Sequence, residues 1–112
     1  MSMDGAAAEE AAARFLVRHG LTIVTRNYRC RFGEIDVIAN DGNTMVFVEV
    51  KARSGKGFGG SIYSITPAKQ RKLLAAAQHY LASLGREPAC RFDAILFDGS
   101  GDPTWLRNIL EA

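Results

Sequence analysis

Between Gly33 and Lys51 the chain reads G-E-I-D-V-I-A-N-D-G-N-T-M-V-F-V-E-V-K. Two apolar-rich segments, Glu34–Ala39 and Thr44–Ala52, flank an Asp41-Gly42 pair, a strong short-range signal for a β-hairpin. With Asp41 and Gly42 as a two-residue loop, Asn40 pairs with Asn43, Glu34 falls opposite Glu49 and Asp36 falls opposite Phe47. Side chains alternate faces along a strand, so Glu34, Asp36, Glu49 and Lys51 project from one side. Ile35, Val37, Val46, Val48 and Val50 cover the other. Like charges facing each other destabilise a sheet, and a buried unpaired charge is worse. A divalent cation would remove the conflict. The hairpin therefore reads as a hard-metal site.

A chain of 112 residues with 47% hydrophobic content can build one core, so a single domain over residues 1–112 is expected. The net charge of +2 conceals an uneven arrangement. No acidic residue lies between Lys51 and Arg86, while Arg53, Lys56, Lys69, Arg71 and Lys72 fall in that interval. Arg14, Arg18, Arg26, Arg29 and Arg31 form a second acid-free run between Glu10 and Glu34. Such runs suit a polyanionic partner, and they also arise as plain solvated faces. No apolar stretch approaches the ~20 residues that span a bilayer, and the N-terminus lacks a basic segment followed by an apolar one. Cys30 and Cys90 are too few for a zinc site and have no C-x-x-C spacing. No membrane association and a reduced cytoplasmic setting are the expectations.

Taken in order, Ala6–His19 has helical spacing, with Ala8, Ala12, Phe15 and His19 on one face and Gly20 as the stop. Glu10 and Arg14 are spaced for an i,i+4 pair, and Glu9 sits at the border of the apolar face. There a glutamate is either solvated or aimed at the metal site. Leu21–Tyr28 reads as a strand, and Arg29-Cys30-Arg31 as a turn. Ser54–Ser64, with Gly55, Gly57, Gly59 and Gly60, is a loop without P-loop spacing, either a basic flap or a long connection. Thr66-Pro67 opens a helix that runs to about Leu84 and stops at Gly85. Its stripe is Leu73, Ala77, Tyr80, Leu81 and Leu84, and one turn back it reaches Gln70. His79 lies beside the stripe as a packing or solvent-facing residue. Cys90–Phe97 is a nearly continuous apolar strand, in which Asp93 is expected to pair with an arginine. Thr104–Leu110 closes the chain as a short strand after a turn cluster.

The order of elements, with Asp on the second strand and Glu-x-Lys on the third, resembles the PD-(D/E)xK nuclease core. More closely, the chain is similar to the YraN-like family of small bacterial proteins related to Holliday-junction resolvases. The matching residues are Glu9 with Phe15-Leu16, Gly20-Leu21, Arg26-Asn27, Gly33-Glu34-Ile35-Asp36, Phe47-Val48-Glu49-Val50-Lys51, Lys69-Gln70, Tyr80-Leu81 and Arg91-Phe92-Asp93. Ile35 stands where a literal Pro-Asp motif has proline.

The resemblance implies an α/β fold with a restriction-endonuclease-like αβββαβ core, its mixed central sheet flanked by helices. It implies that Asp36 and Glu49 bind Mg²⁺ or Mn²⁺ and that Lys51 is the catalytic lysine, with Glu9 and Gln70 as further polar site positions. Mg²⁺ takes oxygen ligands and retains waters, so the backbone carbonyl of Val50 joins the expected ligand set. Glu34 is the weaker candidate for an outer position. Arg26, Arg29, Arg31, Arg53, Lys56, Lys69 and Lys72 are the expected phosphate contacts, which give salt-dependent affinity without base reading. The expected activity is metal-dependent hydrolysis of DNA, in branched or single-stranded structures, and by analogy with two-strand resolution a homodimer. Two other readings stand beside it: a nucleic-acid-binding module without turnover, and a scaffold whose acids are merely salt-bridged.

Overall fold

The structure, a computed structural model, describes residues 4–52, 65–99 and 101–110. The Gly-rich loop, with Arg53 and Lys56, lies outside the described residues. Helix α1 (Gly5–Arg18) is followed by strands β1 (Thr22–Cys30), β2 (Gly33–Asp41) and β3 (Thr44–Ala52), helix α2 (Pro67–Leu84), and strands β4 (Ala89–Phe97) and β5 (Thr104–Leu106). The expected αβββαβ order is present, and the expected last strand follows as β5, ending at Leu106 rather than Leu110. No described helix is long and apolar enough to cross a membrane.

Local chemistry explains the helix boundaries. Asp4 caps α1 by accepting a hydrogen bond from the Ala7 N–H at 2.7 Å, and Thr66 caps α2 by accepting from Lys69 N–H at 3.2 Å. Each cap satisfies an amide that the helix itself leaves without a partner. Gly85 ends α2 in the left-handed conformation, φ 69°, which costs glycine little. Glu10 and Arg14 pair across one turn of α1 at 3.0 Å.

The strands form one sheet in the order β1-β2-β3-β4-β5. It is antiparallel except between β3 and β4, which run parallel. α2 supplies the crossover that a parallel pair needs. One core lies between the sheet and α1, where Ala8, Ala12 and Leu16 meet Val37, Ala39, Val46 and Val48. The other lies under α2, where Leu73, Ala76 and Ala77 meet Ile35, Ile38, Met45, Phe47 and Phe92.

Three expectations are corrected. β1 continues to Cys30, so Arg29-Cys30 is strand and the turn is Arg31-Phe32. The β2–β3 register is displaced by two residues: Asp41 pairs with Thr44 and Asn40 with Met45, not Asn43. Ile38, not Asp36, faces Phe47, and Glu34 is therefore not opposite Glu49. The loop is Gly42-Asn43, with φ 61° at Gly42 and no positive φ at Asn43. That is the pattern of a II′ turn, which places glycine first. Asp41 stays in the ladder, where its carboxylate pairs with Arg91 at 3.1 Å. A shift of two preserves the alternation of faces.

The third correction concerns those faces. Val37, Val46, Val48 and Val50 do share the α1 side, but Ile35 belongs to the core under α2. Strand β2 changes face between Ile35 and Val37, at Asp36. Its neighbour changes with it: Arg26 pairs with Val37 and Tyr28 with Ile35, and Asn27 between them has φ 55°. Asparagine tolerates this left-handed conformation better than most residues. Asp36 lies at this change of face.

Candidate active site

The β2–β3 ladder ends at Val37 and Val48, and beyond it the two strands carry Asp36 and Glu49. The Val50 N–H donates to Asp36 Oδ2 at 2.8 Å, which fixes the aspartate against β3. Burial pushes the Asp36 pKa up from 3.8 to about 6. The Val50 bond opposes that rise, while the carboxylates of Glu9, Glu34 and Glu49 add to it. α1, β2 and β3 therefore all contribute negative charge around Asp36.

Glu49 is only 6% exposed, a costly place for a carboxylate without cations beside it. Lys69 Nζ is ion-paired with Glu49 Oε1, and Lys51 Nζ lies 3.7 Å from the same oxygen. The Thr66 cap and Pro67 put Lys69 in the first turn of α2. A cation there is opposed by the helix dipole, and the pairing with Glu49 offsets that penalty. The two ammonium groups influence each other. The Lys69 hydrogen bond, followed by burial, holds Lys51 below the ordinary lysine pKa against the pull of Glu49. Burial alone would lower Lys69, but hydrogen bonds to Glu49 and Lys51 outweigh it and raise that pKa.

Of the sequence-selected residues, Asp36, Glu49 and Lys51 come together at this edge, and Glu9 lies within electrostatic reach of Asp36. Val50 supplies its N–H to Asp36. The Gln70 Nε2 donates to the Ile65 carbonyl at 3.1 Å, and it is the preceding residue that reaches Glu49. Lys69, expected among the phosphate contacts, is thus part of the acidic centre. The acid-free first turn of α2 was the sequence signal for it. Glu34 is exposed and pairs with Arg29 at 3.1 Å. Arg26 lines a groove on the α1 side with Arg14 and Arg18, whereas Lys72 lies under Gly33 on the α2 side. Among the described residues, Arg26 and Lys72 therefore lie on opposite sides of the sheet.

Asp93 is fully buried on β4. Its oxygens accept from Arg91 Nε at 3.1 and 3.2 Å, Trp105 Nε1 at 3.0 Å and the Asn108 N–H at 2.9 Å. The expected arginine partner is confirmed, and the cluster ties β5 and the following chain to β4. Cys30 and Cys90 are both free thiols.

Among the described residues, no group of three or more His, Cys, Asp or Glu side chains closes into a metal cage. Two carboxylates suit Mg²⁺ or Mn²⁺ nonetheless, because Mg²⁺ is commonly held by one or two carboxylates plus waters and substrate phosphate. The charge accumulated around Asp36 fits such an ion.

An αβββαβ mixed sheet with Asp36 on one hairpin strand and Glu49-Val50-Lys51 on the other has the fold of a PD-(D/E)xK nuclease-like core. Residues 8–97 match the Uncharacterised protein family UPF0102, and the chain belongs to it. This is the YraN-like family that the sequence motifs resembled. A UPF0102 protein of Nitrosospira multiformis is 52% identical over 99% of this chain and 95% of its own length. One of Cupriavidus taiwanensis is 54% identical over 96% of this chain and 82% of its own. One of Psychromonas ingrahamii is 47% identical over 96% and 88%.

Proposed function

We propose that the protein is a metal-dependent phosphodiester hydrolase acting on branched or single-stranded DNA, with Asp36 and Glu49 holding Mg²⁺ or Mn²⁺. The observation that carries the reading is Asp36, held by the Val50 N–H, its pKa pushed up to about 6 chiefly by burial and further by the carboxylates of Glu9, Glu34 and Glu49. Accumulated carboxylate charge is unfavourable to the fold by itself, and functional sites are where such perturbations concentrate. A bound divalent ion supplies an activated water and neutralises charge developing on the phosphate.

The chain's own residues do the rest. Lys51, lowered in pKa by Lys69 and burial, is suited to orient the attacking water or take its proton. With Glu49 committed to a metal ion, Lys69, now its ion-pair partner, would be available to meet a scissile phosphate. Glu9 supports the outer shell from α1. Arg31 and Lys72 hold the substrate backbone on the α2 side, and Arg26 holds it on the α1 side.

The test is a cleavage assay over junction, flap, single-stranded and duplex DNA with Mg²⁺ or Mn²⁺. Asp36→Asn, Glu49→Gln and Lys51→Ala should each lower the rate by at least about 100-fold while DNA binding survives. Wild-type protein that cuts nothing with either metal would sink the proposal.

A second reading, a nucleic-acid-binding module without turnover, draws on one observation. Lys51 and Lys69 already neutralise Glu49, so that acid needs no metal for its stability. Salt-dependent binding without cleavage would select it.

A further inference from the structure

Phe32 stands in the turn between β1 and β2 with 40% of its surface exposed. A lone exposed phenylalanine is ordinary, but this ring has a built setting. The Arg31 guanidinium lies 4.8 Å from its centroid, and the His79 ring lies 5.8 Å from it at 60°. His79 is hydrogen-bonded through Nδ1 to the Tyr28 hydroxyl, and Tyr28 packs edge-on against Tyr80 at 5.1 Å. Residues on both β1 and α2 thus hold the aromatic group in position.

The same cluster lies along a line to the acidic centre. Lys69, Lys72 and His79 lie along one side of α2, Lys72 and His79 exposed and Ala76 between them buried in the core. Gly33 sits on that face, since a Cβ added there would be 3.5 Å from the Lys72 Cβ. From Lys69, at Glu49, to His79 the helix rises ~15 Å. The strip is cationic at one end and aromatic at the other. The nearby Glu34 is engaged by Arg29, and α2 contributes no acid of its own.

We infer that Phe32, with Arg31 and His79 beside it, stacks an unpaired base of a single-stranded nucleic acid whose backbone follows Lys72 and Lys69 toward Glu49 and Asp36. Bases inside a duplex offer no free face, whereas an unpaired base stacks on aromatic rings and guanidinium planes. The cations along the helix match a phosphate backbone, which gives the partner its chemistry. The inference deepens the hydrolase reading by naming its substrate as a strand with unpaired bases, and it rests on that reading for the strand's destination.

The experiment measures binding of the full chain in EDTA at one fixed salt concentration. The probes are a mixed-sequence single-stranded DNA carrying 2-aminopurine and a blunt duplex of equal length. Phe32→Ala and Phe32→Leu should each lose about tenfold in single-strand affinity and stay within about twofold on the duplex. Phe32→Tyr should match wild type. Quenching of 2-aminopurine by wild type should be absent in Phe32→Ala, with circular dichroism verifying the fold of each variant. Equal losses on both probes, no loss on either, or full affinity in Phe32→Leu would overturn the inference. So would a wild-type dimer that Phe32→Ala dissociates, because Phe32 would then serve contact between copies. Because no metal is present, stacking that persists in Asp36→Asn alongside a wild type that never cleaves would refute hydrolysis alone.

Discussion

Lys69, in the first turn of α2, is ion-paired with Glu49 of β3. The contact joins the start of the crossover helix to the sheet edge where Asp36 is held by the Val50 N–H. It makes the helix entrance part of the acidic centre, and it places an ammonium group beside a carboxylate proposed to hold a metal.

Removing that cation exposes its role. In metal-free protein at neutral pH, Lys69→Ala should destabilise by about 1–3 kcal/mol, because the buried Glu49 loses the ammonium ion-paired with it. Mg²⁺ should raise the melting temperature of this variant more than that of wild type. Calorimetric scans with and without Mg²⁺ check both statements, and an identical Mg²⁺ response in the two proteins would refute the exchange.

The pH dependence of Asp36 has a definite sign. Its folded pKa is raised from 3.8 to about 6, so between those values the folded protein binds more protons than the unfolded chain. Stability contributed by this group is present at low pH and is lost as pH rises through the window. Asp36→Asn should therefore be more stable than wild type at pH 7–8 by about 1–3 kcal/mol in metal-free buffer. The difference should fade by about pH 4. Urea unfolding across pH measures it, and a variant less stable than wild type at neutral pH would contradict the assignment.

Asp93 has a structural role, away from the acidic centre. Asp93→Ala takes from the Trp105 indole N–H its acceptor and from the part-buried Arg91 guanidinium one of its two carboxylate partners, which should cost about 1–3 kcal/mol. Trp105 is the chain's one tryptophan, so its fluorescence during urea unfolding reports the loss directly. An unchanged midpoint would refute the role.

Gly42 is required by its backbone. Its φ of 61° is adverse to a residue with a Cβ, and Gly42→Ala should cost about 1 kcal/mol. Gly5→Ala, in the first turn of α1 with nothing within 4 Å of an added Cβ, should be neutral or mildly stabilising. Comparing the two unfolding midpoints tests whether the positive φ matters.

The order of helices and strands was legible in the chain because it follows from local properties. Periodicity named α1, α2 and the strands; Thr66-Pro67 and Gly85 set the ends of α2; and Asp36, Glu49 and Lys51 declared themselves as charges in apolar strands. Tertiary structure decided the details that matter at the site. The hairpin register leaves Asp41 in the ladder, where it meets Arg91, a residue of β4 distant in sequence. The face change at Asp36 depends on two opposite cores competing for Ile35 and Val37 and on the bend at Asn27. The choice of Lys69 to meet Glu49, with Gln70 turned to Ile65, depends on how the entire helix docks on the sheet. Composition and spacing can announce which groups are charged, since that is a property of residues. Which charges meet is a property of packing, because burial and distance set electrostatic energies and neither exists until the two layers close on the sheet.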